Sequence, residues 1–382
     1  MPTREIRKNL LAKVHRVVIK LGSYVLTTTS GKLDREVFTD VTQTVVQLHA
    51  QGIDCILVSS GAIASGIGRL GLKTRPRHLE QEQAAAAIGQ IRLMGLYDRL
   101  FTRHNMPVAQ ILLTHGDLRN RKHFLHARQT LNSVLEYGAV PIINENDTTV
   151  VDEIKFGDND HLSSLVTNLA QADLLVILTD IDGFYDSDPR SNPDARLIGL
   201  LETIDEETEK LALGPSSRVG RGGMATKLKA AKTAATYGIP TIIANGKKPG
   251  TLRAVFDGEP VGTLILPKKN KLTGKKHWIA YTLKPQGVLV LDDGARDALE
   301  QRLRSLLPSG IVSVEGGFDA GECVSCCEVS GREFARGLTA YGAEAVKKIK
   351  GLKTTEISAA LGCLGNRAVI HRDDLVVFSA LK

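Results

Sequence analysis

Between Ile143 and Ser164 the sequence crowds six acids (Glu145, Asp147, Asp152, Glu153, Asp158, Asp160) and three asparagines (Asn144, Asn146, Asn159) into a chain whose formal net charge is +7. What these residues hold is the first chemical question. Three further stretches bear on it. Lys20 sits near the end of the apolar run Val17–Leu21, beside Gly22 and Ser23. An ammonium at the end of a buried strand must be desolvated or paired, although a lysine snorkelling to the rim would look the same. Gly22 lets a ligand come close to the backbone. Ser59-Ser60-Gly61-Ala62 closes a second apolar run and opens a helix or turn, offering small side chains and free N–H groups to an anion, as an ordinary N-cap serine also would. Gly220-Arg221-Gly222-Gly223-Met224-Ala225-Thr226-Lys227 is a glycine-rich loop entering a helix. Cations avoid that end of a helix, so Lys227 points to negative charge bound nearby. Together the three stretches describe a polyphosphate clamp of two lysines and two glycine-rich turns.

Other phosphate and catalytic signatures fail. No G-x-x-x-x-G-K-[ST] occurs, which removes a P-loop nucleotidase. Gly66-Ile67-Gly68-Arg69-Leu70-Gly71 fits G-x-G-x-x-G, yet the preceding strand ends at Ser59 and Pro76 interrupts the next segment. His371-Arg372-Asp373 mimics a protein-kinase catalytic loop, but Phe378 stands where asparagine is needed. Cys323-x-x-Cys326 lacks a second pair to complete a zinc site, and the five cysteines read as reduced core thiols. No metal ligands are assigned.

The elements that must position this chemistry alternate. Apolar runs at Val17–Leu21, Ile53–Ser59, Val108–Leu113, Val140–Asn144, Leu174–Thr179 and Thr241–Ala244 are separated by helical patterns at Asp34–Ala50, Leu79–His104, Arg121–Tyr137, His161–Gln171 and Met224–Tyr237. Repeated β-α-β order predicts an α/β fold, an open, mostly parallel sheet sandwiched by helices, with ligands at the carboxyl ends of its strands. The charged, turn-rich stretch after Pro267 reads as a linker. Short strands with glycine turns come after it and predict a small, mainly β module. The expected division is therefore 1–267, a linker at 268–284, and 285–382.

Charge and hydropathy narrow the classes. Lys and Arg outnumber Asp and Glu by 34 to 29 over residues 1–274 and by 15 to 13 over 275–382, so neither part is a polycation. Residues 1–14 are charged and lack the apolar core of a signal peptide, and no run of 18 apolar residues is present. The expectation is a cytoplasmic protein without membrane contact.

Six segments, in order, resemble the amino acid kinase family: Val18–Ser23, Ser59–Ile63, Ile143–Asp147, Gly157–Asp160, Leu178–Gly183 and Gly222–Lys227. The likeness covers residues 15 to about 266. It implies transfer of the γ-phosphoryl group of ATP, with Mg²⁺, to the side-chain carboxylate of L-glutamate at the start of proline formation. By the same resemblance Ser60, Asp147 and Asn159 hold the amino acid, the acid pairing with its ammonium group. Lys20 and Lys227 stabilise the charge of the migrating group, and Asp160 lies between them. Thr179, Asp180 and the loop Arg221, Gly222, Gly223, Met224, Ala225, Thr226, Lys227 form the nucleotide site together with Lys20. Arg221 departs from the threonine common among related enzymes, although an arginine can reach a phosphate. The carboxyl-terminal module is similar to a PUA domain, a small RNA-binding fold, which implies at most weak RNA contact given its low charge and few aromatic residues. A homo-oligomer, tetramer or dimer, and proline as a feedback inhibitor are likewise implied. Aspartokinase and acetylglutamate kinase chemistry in the same fold, and an RNA-binding protein led by the second module, are the alternatives.

Overall fold

The computed structural model describes all residues except 1, 29–30, 150–158, 214–222, 268–275, 277–278, 281–282, 354–355, 362–367 and 380–382. Two compact units divide the chain, Met1–Lys269 and Asn270–Lys382. In the first, the strands are β1 (Arg16–Leu21), β2 (Asp54–Ser59), β3 (Val108–Leu113), β4 (Val140–Glu145), β5 (Leu174–Thr179), β6 (Leu200–Leu201), β7 (Thr241–Asn245) and β8 (Thr263–Ile265). The helices are α1 (Pro2–Leu11), α2 (Ser23–Leu26), α3 (Arg35–Ala50), α4 (Ala62–Leu70), α5 (Leu79–Thr102), α6 (His115–Arg119), α7 (Arg121–Glu136), α8 (Asn159–Ala170), α9 (Glu206–Leu213), α10 (Met224–Thr236) and α11 (Thr251–Phe256). The six strands expected from apolar runs begin and end within one residue of the expected positions.

Among the described residues the eight strands form one sheet in the order β3-β4-β2-β1-β5-β7-β8-β6. Every pairing is parallel except β7 with β8. β1, β2, β4 and β5 are buried almost end to end because helices cover both faces, and that is why their sequences are continuous apolar runs rather than alternating ones. The chain order reverses around β1, whose neighbours are β2 and β5, so the crevice at the strand ends opens there.

One helix contact matters for the site. α4 and α5 pack backbone against backbone. A Cβ on Gly66 would lie 1.8 Å from the Ala85 carbonyl oxygen, and one on Gly89 would lie 1.8 Å from that of Ala62. This explains the G-x-G-x-x-G lookalike without a dinucleotide: Gly66 allows the crossing, and Gly71 ends α4 at φ +67°. α1 was not foreseen in the charged amino-terminal segment. Its Arg7 is 1% exposed and donates to the carbonyl oxygens of Gly199, Glu259, Val261 and Gly262.

The second unit holds a sheet ordered β10-β9-β11-β12-β13, from β9 (Gly287–Leu291), β10 (Ile311–Gly316), β11 (Cys323–Glu328), β12 (Glu333–Leu338) and β13 (Leu375–Val377). Its apolar core includes Leu289, Val324, Cys326, Phe334, Val346 and Ile370. Cys326 is thus a core residue whose thiol burial pushes well up, and the Cys323 thiol is pushed up to about 12 by the same cause. Ile279 and Ala280 fall within the stretch expected as linker, yet both are buried, and Arg336 donates to the Ala280 carbonyl. Cys363 lies outside the described residues.

Candidate active site

Lys20 leaves the end of β1, and Lys227 the first turn of α10. Both ammonium groups reach one carboxylate, that of Asp160 in the first turn of α8. Lys20 pairs with one oxygen of it, and Lys227 lies 3.3 Å from the other. Thr226 donates its hydroxyl to that second oxygen at 2.8 Å. Asp160, Lys20 and Lys227 are 0%, 4% and 5% exposed, so the cluster is dry. Burial alone would push the Asp160 carboxyl up, but Lys20, then Lys227, with the hydrogen bonds from Lys20 and Thr226, outweigh it and hold the acid below its usual range. Two cations thus share one anion in a water-poor crevice, where electrostatic interactions are strong. Gly22 borders this cluster at φ −75°, and a Cβ there would lie 3.5 Å from the Lys20 ammonium nitrogen. The glycine keeps the space in front of the lysine open. At the start of α10, Gly223 offers no side-chain cap to the first-turn amides.

The residue before Asp160 serves a different network. The Asn159 amide nitrogen donates to Ser60 Oγ at 2.8 Å and to Asn144 Oδ1 at 3.0 Å. Asn144, at the end of β4, donates in turn to Gln90 Oε1 on α5 at 3.0 Å. Both N–H bonds of Asn159 are therefore used, and its Oδ1 is buried with no partner among the described residues. Ser60 accepts from Asn159, so its own hydrogen remains to be given away. Ser60 is held by a backbone bond to Leu21, and Gly61 after it takes φ +105°, which a residue with a Cβ adopts only under strain.

Asp147 stands on a 3₁₀ turn, Asp147–Thr149, against which α5 packs. Its carboxyl is pushed up to about 6, first by burial; the charge of Arg75 pulls it down and that of Glu82 pushes it up. Arg75 itself is tied to Glu82 at 2.7 Å. On the other side of β1, Thr179 ends β5 and donates to Asp180 at 3.1 Å, while Asp180 lies 3.7 Å from Arg190. The register of Leu21 against Leu178 puts Thr179 level with Gly22. Asp182 accepts from Lys248 at 2.7 Å and from Asn245 at 2.8 Å at the outer edge of this half.

The structure thus joins Lys20, Asp160, Thr226 and Lys227 in one cluster, and Ser60 and Asn159 in a second that begins one residue earlier. Met224 and Ala225 open α10 beside the first. Arg221, Gly222, Glu153 and Asp158 lie outside the described residues. Sequence reasoning did not single out Gln90 or Arg75. Gln90 follows Ala84–Ala87, Ile88 and Gly89, and that a polar residue comes next after a segment rich in small residues was the available signal.

Residues 15–245 match the Amino acid kinase family, and residues 287–361 match the PUA domain. A protein of Geobacter sulfurreducens named Glutamate 5-kinase is 54% identical over 372 residues, spanning 97% of this chain and all of the relative. Proteins of the same name from Pelobacter propionicus (51%, 97% of this chain, all of the relative) and Caldanaerobacter subterraneus (46%, 95% of this chain, 97% of the relative) are similar along nearly the whole length as well.

Proposed function

The chain belongs to the amino acid kinase family, and from that premise we propose that it transfers the γ-phosphoryl group of ATP to the side-chain carboxylate of L-glutamate, yielding L-glutamyl 5-phosphate. The observation that carries this reading is the placement of Lys20 and Lys227 on Asp160, one residue from the amide cluster of Asn159. Both reactants are anions, and the group in flight spreads negative charge over its equatorial oxygens. Catalysis is then alignment and neutralisation, with no covalent intermediate on the protein. Asp160 keeps the two ammonium groups at a fixed separation, so little reorganisation is needed when the phosphate arrives. The ammonium of the amino acid meets the Asp147 carboxylate and the open Asn159 Oδ1, and the Ser60 hydroxyl gives its hydrogen to a substrate carboxylate. Thr179, Asp180 and the loop from Arg221 to Lys227 receive the nucleotide.

Among the described residues no group of three His, Cys, Asp or Glu is placed to hold a metal ion. Mg²⁺ would enter with ATP as part of the substrate; the carboxylates of this site are oxygen donors of the kind it takes, and it would supply further neutralisation of the phosphates. Assembly as a dimer or tetramer, inhibition by proline, a cytoplasmic location and weak RNA contact through the second unit complete the proposal; they rest on family resemblance and on the sequence. The division into a kinase domain at 1–267, a linker at 268–284 and a PUA-like domain at 285–382 stands on the same footing.

The direct test traps the acyl phosphate with hydroxylamine, offering glutamate, aspartate and N-acetylglutamate side by side with ATP. A hydroxamate that forms well above background with glutamate alone is expected. Preference for either of the others overturns the substrate assignment.

A further inference from the structure

Gln90 has no role in the chemistry described so far, yet the fold goes to some length to bring it to the strand ends. The interlock of Gly66 with Ala85 and of Gly89 with Ala62 lets α5 lie directly on α4, and Gln90 is the next residue along. Seven residues on, two turns along the same face, the Tyr97 hydroxyl lies 2.9 Å from Ser59 Oγ, beside Ser60. α5 therefore touches the amino acid site at two points through the polar tips of otherwise packed side chains. Tyr97 is fully buried, so the helix has no freedom to slide at that contact.

We propose that Gln90 is a positioning residue that fixes which way the Asn159 amide faces. Gln90 Oε1 accepts from Asn144, whose own oxygen is thereby turned to accept from Asn159. An amide has one donating and one accepting end. Fastening the donors of Asn159 to Asn144 and Ser60 leaves its oxygen alone facing the substrate, where an ammonium group is bound and a bare methylene is not. Selection for a free amino group thus begins on α5, at the far end of a three-amide relay. The inference rests on the function proposed above and names the part of the site that reads the amine.

Gln90→Leu tests it, because leucine fills the space and cannot accept. Glutamate is compared with glutarate, which has both carboxylates and no amine. In Gln90→Leu, kcat/KM for glutamate is expected to fall at least tenfold, mainly through KM. The value for glutarate and the KM for ATP should stay within about threefold, so the preference between the two acids collapses. Gln90→Glu, which keeps an oxygen facing the Asn144 amide, should restore most of that preference. Gln90→Met carries the same expectation as leucine and is the variant of choice if the thermal midpoint of Gln90→Leu shows the α4–α5 contact disturbed. Equal losses with both acids, or an unchanged KM for glutamate, would overturn the role of Gln90 while leaving the kinase reading intact. A wild-type protein that forms no hydroxamate from glutamate would remove both together.

Discussion

Asn159 and Asp160 are consecutive residues in the first turn of one helix, and they anchor two clusters built on opposite plans. Asp160 gathers two lysines in a dry pocket, where charge does the work. Asn159 gathers a serine and two amides, all neutral, where the direction of each hydrogen bond does the work. On the proposed function the first cluster is the phosphate half and the second the amino acid half; the phosphate half needs strength from any direction, because the migrating group spreads its charge over several oxygens. The amino acid half must tell one amine from its absence, and neutral amides do this through the cost of leaving a buried acceptor unpaired. In the proposed reaction, placing both on adjacent residues of a buried helix start would keep the reacting carboxylate and the phosphate in a fixed relation.

Substitutions can break the comparison in order of expected size. Lys227→Ala should have the largest effect, lowering turnover by about 10²–10³-fold with KM for glutamate little changed, as glutamate-dependent ADP release would show. Near-normal turnover in a folded variant would remove Lys227 from the phosphate half. Asp160→Asn comes next. Removing the shared anion takes a counter-charge from two buried ammonium groups, a change that costs about 3–5 kcal/mol of stability in comparable buried pairs, measurable by urea unfolding. If unfolding is unaffected, the charged cluster does not hold the fold in the way its burial implies.

Asp147→Ala belongs to the amino acid half and should raise the KM for glutamate by about 10–100-fold while kcat changes less. The same residue gives a pH signature. Burial pushes its carboxyl up to about 6, above its unfolded range, so its contribution to native stability is present at low pH and lost as pH rises through about 6. Substrate binding runs the other way, because the ammonium needs the ionised acid. KM for glutamate should therefore climb as pH falls below about 6, and Asp147→Asn should give a raised KM without that slope. The smallest effect is expected from Lys248→Ala at the exposed pair with Asp182, which should leave both the unfolding midpoint and the KM for glutamate close to those of the wild type. A large loss there would extend the charged plan well beyond the buried crevice.

The parallel strands were legible in the sequence because burial on both faces forces unbroken apolar runs. Lys20 was legible for the complementary reason, since a cation ending such a run must be paired. The short strands β6 and β8 and the helix α1 were not. Two- or three-residue strands carry no periodicity, and the apolar face of α1 is only Ile6, Leu10 and Leu11, set among charged residues of which Arg7 is itself buried. Asp160 and Asn159 could be placed by resemblance to a motif, whereas Gln90 could not, because its meaning depends on where two glycines let one helix rest. Its partner Asn144 is far from it in sequence, and nothing local announces the pairing.

The buried guanidinium of Arg7 has a consequence for synthesis. Its carbonyl partners lie between Gly199 and Gly262, so the first helix cannot dock until almost all of the kinase unit has left the ribosome. Closure across so long a stretch of chain is entropically slow. A nascent chain stalled before residue 262 should remain open to protease at its leading end, and release of that residue should mark the moment when the unit seals.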